Sequence, residues 1–209
     1  MKLVNATALS TERLAAMIAE QIDGWSHRSL SVHIRYSRGR DFSGVCSYAR
    51  KCIRVNIGRH LRFPYDVQTY LARAQSNARV WWREIYRLRV ADAYQLVLFV
   101  FLHEFYHWLV RQARRNTRQK ESMCDRFAAR VLVDRYGATV RDRGGRPVSR
   151  EEWDFQDLER FVARARRMKR GELVAARAAR VALPSSVRGG RDDQLLLFPL
   201  DGEGGPRPV

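Results

Sequence analysis

Residues 94–116 read YQLVLFVFLHEFYHWLVRQARRN, a strongly apolar stretch. Apolar side chains surround most of the helix that it predicts, so we expect a central helix buried on nearly all sides. Inside the apolar run lies HEFYH, with His103 and His107 four residues apart and Glu104 beside the first. Burying these polar side chains in an apolar helix costs free energy unless they bind an ion or a hydrogen-bonding partner.

The spacing of the two histidines predicts a metal site. Residues four apart on a helix project from one face, so both imidazoles can reach one ion. Neutral imidazole is a good zinc ligand. We therefore expect Zn²⁺ on His103 and His107, with Glu104 as the catalytic base that takes a proton from water acidified by the metal. The alternative is a pair of hydrogen-bonded core histidines beside a surface glutamate.

The next helix, expected over about residues 120–136, offers a third ligand. Catalytic zinc usually has three protein ligands and one open position. Glu121 is the expected third ligand; the alternative is a solvated glutamate at a helix start, favoured by the helix dipole. Asp125, one turn further on, can accept an N–H from a ligating imidazole and so fix its tautomer. Cys124 is a softer rival ligand that we expect to pack in the core instead.

Two protease groups resemble this part of the chain. HEFYH followed by ESMCDRFAARVL resembles the ImmA/IrrE metallopeptidases, which implies His103, His107 and Glu121 as ligands and Glu104 as base. The upstream order of helix, strand, hairpin and HExxH helix resembles SprT-like and Spartan proteases, which act on proteins crosslinked to DNA. The chain departs from both groups, because no third histidine follows His107 and VLVDRYG stands where ImmA/IrrE proteins continue with Met-Pro.

The resemblance covers roughly residues 10–136 and implies an edge strand above the metal. A substrate strand would pair with that edge by β-augmentation. The strands expected at Ser31–Tyr36 and Ile53–Ile57 are the candidates for this edge. A group that stabilises the oxyanion is also implied, and the choice among the tyrosines stays open.

These elements predict an α+β fold, a minimal zincin-like metallopeptidase domain over residues 1–140. Ser10 is expected to cap a helix over 11–23, and GVCSY with KCIRVNIG is expected to form a hairpin turning near Ala49–Arg50. With the strand at 31–36 this hairpin gives a small antiparallel sheet. Residues 66–86 are predicted to be helical, with four anchoring side chains: Trp81, Trp82, Ile85 and Tyr86.

A basic helical extension is predicted over residues 149–183, after a linker at 141–149. Ser149 and Glu152 match a capping box at its start. The chain has 39 Lys+Arg against 22 Asp+Glu, a formal charge of +17, so nucleic acid is the first candidate partner. A high-GC genome, whose codons favour arginine, is the alternative cause. The residues expected to hold phosphates are Arg160, Arg164, Arg167 and Lys169.

The last segment, residues 184–209, is rich in Gly, Pro and charge and is predicted to be disordered. Within it, QLLLF resembles the pentapeptide by which bacterial proteins bind the DNA polymerase sliding clamp. The resemblance implies clamp contacts by Gln194, Leu195, Leu197 and Phe198, and only Leu196 departs from the consensus. A segment that docks on its own domain, or a chance match, is the alternative.

Three cysteines match no disulfide framework, and no signal peptide or membrane span is evident in the sequence. We therefore expect a cytoplasmic, nucleoid-associated protein with no membrane partner. The leading hypothesis is a zinc endopeptidase that cleaves DNA-associated protein substrates near the sliding clamp, crosslinked ones among them. The alternatives are a regulatory protease that cleaves a repressor, and a non-catalytic DNA-binding module with a structural zinc.

Overall fold

In the computed structural model the chain is described over residues 1–25, 27, 29–118 and 120–167; for residues 164–167 the description covers the backbone alone. This part has an α+β architecture, as the sequence predicts. The residues implicated in clamp binding, Gln194–Phe198, lie outside the described residues, as do the tail at 184–209 and Lys169.

The N-terminal half forms a four-stranded sheet with one crossover helix. The strands are β1 (Lys2–Ala6), β2 (Ser31–Tyr36), β3 (Phe42–Ser47) and β4 (Cys52–Ile57), and the helix α1 (Thr11–Ile22) follows β1. Helix α1 confirms the predicted helix, and the side chain of its N-cap Ser10 accepts a hydrogen bond from the backbone N–H of Arg13.

The order β1-β2-β4-β3 makes this sheet mixed, so the expectation of an antiparallel sheet was wrong. Strand β1 pairs with β2 in parallel because α1 carries the chain back across the sheet between them. Strands β2 and β4 are also parallel, and only the predicted β3–β4 hairpin is antiparallel. Strand β3 therefore lies at one edge of the sheet, whereas β2 and β4 are interior strands.

Residues 65–90 form four short strands with the turns between them and no helix, so the helix predicted over 66–86 was wrong. The strands are β5 (Tyr65–Thr69), β6 (Ala74–Ser76), β7 (Trp81–Arg83) and β8 (Tyr86–Val90). In β5, Val67 and Thr69 are buried while Asp66 and Gln68 are exposed, an alternation typical of a strand with one buried face. Of the four expected helix anchors, only Tyr86 is buried, and Trp81, Trp82 and Ile85 are exposed.

Helix α2 (Ala93–Gln112) is the predicted central helix, and every residue from Gln95 to Val110 is buried. Its N-cap is Asp92, whose side chain accepts a hydrogen bond from the backbone N–H of Gln95 at 2.8 Å. The helix packs against β3 and β4 of the first sheet and against α3 (Glu121–Tyr136). Helix α3 ends at Gly137, whose φ of 67° is the left-handed conformation common after helices.

The chain beyond α3 adds β9 (Thr139–Arg141), α4 (Arg150–Trp153) and α5 (Leu158–Arg167). Strand β9 joins β5 and β8 in a second sheet, and Arg141 also bridges to Pro147, so the expected linker is in part a folded turn. The single helix predicted from Ser149 is divided in two at Asp154. The Ser149 hydroxyl bonds to the Glu152 carboxylate at 3.1 Å and caps no backbone N–H.

Helices α4 and α5 pack on the same core as the rest of the described chain. Trp153 and Leu158 are buried, and the Tyr106 hydroxyl donates a hydrogen bond to the backbone carbonyl of Leu158 at 3.1 Å. One compact unit accordingly runs from Met1 to Met168. The expected boundary at residue 140 therefore falls inside packed structure.

Candidate metal centre

The site lies between two helices that meet in the core. Helix α2 carries His103, Glu104 and His107. Helix α3 begins with Glu121 and carries Asp125 one turn further on. His103, Glu104, His107 and Asp125 are all less than one-tenth exposed. The Glu121 side chain is 32% exposed, so the cluster opens toward solvent on that side. Ionisable groups buried this closely are unfavourable unless they are paired or hold an ion.

Glu121 lies against both imidazoles. One of its carboxylate oxygens is 3.0 Å from Nε2 of His103, and the other is 3.3 Å from Nε2 of His107. Ligand atoms around a tetrahedral zinc, each 2.0–2.1 Å from the ion, are about 3.3 Å apart. Each of the two distances is of this size, although each joins a different oxygen of Glu121 to its imidazole.

Asp125 is hydrogen-bonded to the first imidazole. One of its oxygens is 2.8 Å from Nδ1 of His103, which leaves Nε2 directed toward Glu121. The other oxygen accepts a hydrogen bond from the backbone N–H of Tyr70 at 2.6 Å. Within the described part of the chain, the buried Nδ1 of His107 has no hydrogen-bond partner. The His103 ring is thus held by carboxylates at both nitrogens, and the His107 ring by Glu121 at Nε2 alone.

The pKa values follow from this pairing. Burial lowers the pKa of His103, but the hydrogen bonds to Asp125 and Glu121 outweigh it and hold that pKa well above its usual value. Burial raises the pKa of Glu121, and the bonds from the two imidazoles outweigh it and bring the pKa below its usual value. In the metal-free site Glu121 is therefore a negative carboxylate and His103 holds a proton, which a metal ion would displace on binding.

Cys124 lies closer to the site than the sequence analysis expects. It is fully buried, and its sulfur and one ring nitrogen from each of His103 and His107 lie within 4.8 Å of one another. His103, His107 and Cys124 could thus hold a metal ion. Burial, together with the charges of Glu121 and Asp125, raises the pKa of the Cys124 thiol well above its usual value. Without a cation that thiol stays protonated.

The edge strand β3 encloses Glu104. A Cβ added to Gly44 would lie 2.5 Å from the Oε1 atom of Glu104, so only glycine leaves room for this carboxylate. The backbone N–H of Cys46, two residues along, also faces this carboxylate and lowers its pKa. Burial raises the pKa of Glu104, and the neighbouring imidazoles oppose that effect. Glu104 is therefore held between the metal cluster and the sheet edge.

The edge strand beside Glu104 differs from the two candidates that the sequence predicts. Residues 31–36 and 53–57 form the interior strands β2 and β4, whose hydrogen-bonding edges are already paired. The edge next to Glu104 is β3, which the sequence predicts only as the first arm of a hairpin. The signal that could have identified it is Gly44 in the middle of a strand, since such glycines often mark a close approach of another group.

Two tyrosines lie close enough to the site for its negative groups to raise their pKa. For Tyr48, after β3, burial is the main cause, and with smaller effects from Cys46, Cys124 and Glu104 it brings the pKa to about 12. For Tyr70, after β5, burial and then Asp125 and Glu121 raise the pKa. Both phenols stay protonated at neutral pH and can donate hydrogen bonds.

The loop that carries Tyr70 is fixed to α3 by a second residue. Arg126 is buried, and its guanidinium donates hydrogen bonds to the carbonyl of Leu71 at 3.3 and 3.1 Å. Burial lowers the pKa of Arg126 to about 10, so it remains charged. Its guanidinium also lies 4.0 Å from the ring centre of Phe155. Asp125 and Arg126 together therefore hold residues 70–71 beside the metal cluster.

Of the residues expected to bind phosphates, Arg160 is exposed on α5. Arg164 and Arg167 belong to the same helix, and the description stops at their backbone. No helix in the described residues has the length and apolar character to cross a membrane. Comparisons of the chain with protein-family models, with curated proteins and with solved structures found no match.

Proposed function

We propose that the chain is a zinc-dependent endopeptidase that cleaves DNA-associated proteins, crosslinked ones among them, and is recruited to the sliding clamp by its tail. The observation that carries the peptidase assignment is the grouping of His103, His107 and Glu121 beside Glu104, at an open sheet edge. The net charge of +17 and the QLLLF motif support the location on DNA.

In this proposal His103, His107 and Glu121 hold the zinc ion, and Asp125 keeps the Nε2 atom of His103 directed at it. A bound zinc ion supplies a Lewis acid that polarises a peptide carbonyl and acidifies water. Glu104 accepts the proton from the attacking water and delivers it to the leaving amine, the two halves of general acid–base catalysis. The peptide extends β3, whose free edge presents main-chain N–H and C=O groups.

Hydrogen-bond donors are needed where negative charge develops on the carbonyl oxygen. Tyr48 and Tyr70 are the two candidates, because both are protonated and both lie at the carboxylate cluster. Tyr70 is additionally fixed through its own backbone N–H to Asp125.

Cleavage of a DNA-binding protein tests the proposal. We expect the zinc-loaded full-length protein to cleave casein and a DNA-binding protein, with single-stranded DNA stimulating the second reaction. Chelation should abolish both activities, and added Zn²⁺ should restore them, because the ion is needed for the attack. The products are followed by gel and mass spectrometry. A zinc-loaded protein that cleaves neither substrate, with or without DNA, would contradict the proposal.

The position of Cys124 favours a second candidate, a structural zinc in a non-catalytic protein. With Cys124 as a fourth protein ligand the site would be closed, as structural zinc sites are, and no position would remain for water or substrate. The catalytic assignment instead leaves Cys124 as a buried neutral thiol behind the histidines.

Substitution of the two rival ligands separates these candidates. For the peptidase we expect Glu121→Gln to weaken zinc binding strongly and Cys124→Ser to leave both zinc affinity and cleavage within about threefold of wild type, since a neutral serine replaces a neutral thiol. Competition with a chromogenic chelator gives the affinities. A large loss of zinc affinity in Cys124→Ser as well as in Glu121→Gln would favour the structural site, in which both residues are ligands.

A further inference from the structure

The β6–β7 hairpin exposes aromatic side chains that no part of the metal centre uses. Of the seven large apolar residues exposed in the described chain, four are consecutive or nearly so: Val80, Trp81, Trp82 and Ile85. Trp81 is 47% exposed and Trp82 is 43% exposed. Tryptophans are usually buried, so two adjacent exposed ones indicate a surface that binds a partner.

The hairpin presents these rings on an ordered ribbon. Gln75 pairs with Trp82 and Ser76 pairs with Trp81 across the two strands. The turn is closed by the Asn77 side chain, which accepts hydrogen bonds from the backbone N–H groups of Arg79 and Val80, each at 2.9 Å. Neighbouring residues of a strand project to opposite faces, so each face of the ribbon carries one tryptophan.

The base of the hairpin is connected to the metal centre. The Arg83 guanidinium donates a hydrogen bond to the carbonyl of Tyr70 at 3.1 Å, and the N–H of Tyr70 bonds to Asp125. The backbone of Tyr70 therefore connects the base of the hairpin to Asp125 of the metal centre.

The charge around the tryptophans selects the chemistry of that partner. Residues 73–89 contain five arginines and one acidic residue, Glu84. These arginines are Arg73, Arg79, Arg83, Arg87 and Arg89. Arg79 is exposed at the turn. Arg89 pairs with Asp66, Arg73 lies over the ring of Phe155, and Arg83 bonds to the Tyr70 carbonyl. Exposed aromatic rings beside a free-standing positive charge match a ligand that has both stacking faces and negative charges, which are the bases and phosphates of a nucleic acid.

We infer that the β6–β7 hairpin is a binding site for single-stranded nucleic acid, with bases stacked on Trp81 and Trp82. The bases of a duplex are stacked inside the helix and are not free to stack on the tryptophans. A flexible single strand can place one base against each face of the hairpin. Arg79 at the turn pairs with the backbone phosphates. The inference shares with the proposed function only its expectation of a nucleic-acid partner, and it requires no metal or peptidase activity.

Binding of a fluorescein-labelled oligothymidylate by the full-length protein tests the inference, with fluorescence anisotropy as the readout. We expect Trp81→Ala and Trp82→Ala each to weaken binding about tenfold, because stacking of one base contributes about 1–3 kcal/mol. Trp81→Phe, which keeps a ring, should retain most of the affinity. Arg79→Ala should reduce the slope of log Kd against log salt concentration by about 0.7, the value for one phosphate of a single strand. Val4→Ala is the control for general surface effects, because Val4 is an exposed apolar residue of β1, an edge strand of the four-stranded sheet.

Two results would overturn the inference. One is that both tryptophan-to-alanine variants bind oligothymidylate with wild-type affinity while their melting temperature equals that of wild type. The other is tryptophan-dependent binding to vesicles of phosphatidylcholine and phosphatidylserine with no tryptophan-dependent binding to the oligonucleotide, which would assign the hairpin to a membrane surface. Casein cleavage measured without DNA distinguishes failure of the hairpin inference from failure of the peptidase proposal. The hairpin variants should retain it, and Glu104→Gln should lose it while binding oligothymidylate as wild type does.

Discussion

Glu104→Gln should lower the rate of peptide cleavage by about 10²–10⁴-fold, the usual contribution of a general acid–base residue. The amide is close in size to the carboxylate, so the space next to Gly44 stays filled, but it cannot accept the proton from water. Because Glu104 is not one of the expected ligands, the variant should bind zinc with wild-type stoichiometry. Cleavage of casein in single-turnover conditions, with zinc content measured on the same sample, checks both expectations.

Glu151→Gln is the matched control for this substitution, since Glu151 is exposed on α4. It should leave cleavage unchanged. Wild-type cleavage by a zinc-loaded Glu104→Gln protein would remove Glu104 from the mechanism, and with it the peptidase assignment as we have argued it.

Gly44→Ala should lower cleavage by about 10²-fold, although the residue carries no reactive group. The added Cβ would be 2.5 Å from Glu104 Oε1 and 2.9 Å from its Cδ, so the carboxylate or the strand must move. A displacement of about 1 Å in a reacting group can cost about that factor in rate. The crowding should also lower the free energy of unfolding by about 1–3 kcal/mol, measured by urea denaturation.

Gly144→Ala supplies the control for a glycine substitution away from the site. A Cβ there would meet Asp142 at 3.3 Å, an exposed turn contact that can adjust. Cleavage by this variant should equal that of wild type. Full activity in Gly44→Ala, with normal zinc content and stability, would show that β3 does not position Glu104.

The central helices could be predicted from sequence because their signals are local. Helix α2 has a long apolar run, and HEFYH fixes the mutual placement of three side chains by helical spacing alone. The proximity of Glu121 to both histidines was predicted from the needs of a metal ion rather than from any local pattern. The same reasoning predicted the bond between Asp125 and His103.

The remaining features depend on contacts between residues far apart in the chain. The parallel pairing of β1 and β2 has no local signature, because it depends on how α1 crosses the sheet. Trp81 and Trp82 suggested a buried helix because large apolar residues are usually inside, yet here both are exposed on a ribbon. The role of Gly44 became visible only when Glu104, distant in sequence, was found against it.

We expect one metal ion to bind between α2 and α3, and zinc stoichiometry measures this. Protein purified, exposed to Zn²⁺ and dialysed should contain one zinc per chain by elemental mass spectrometry, and the double variant His103→Ala with His107→Ala should contain none. Wild-type protein that takes up no zinc, or a folded double variant that retains as much zinc as wild type, would contradict the claim.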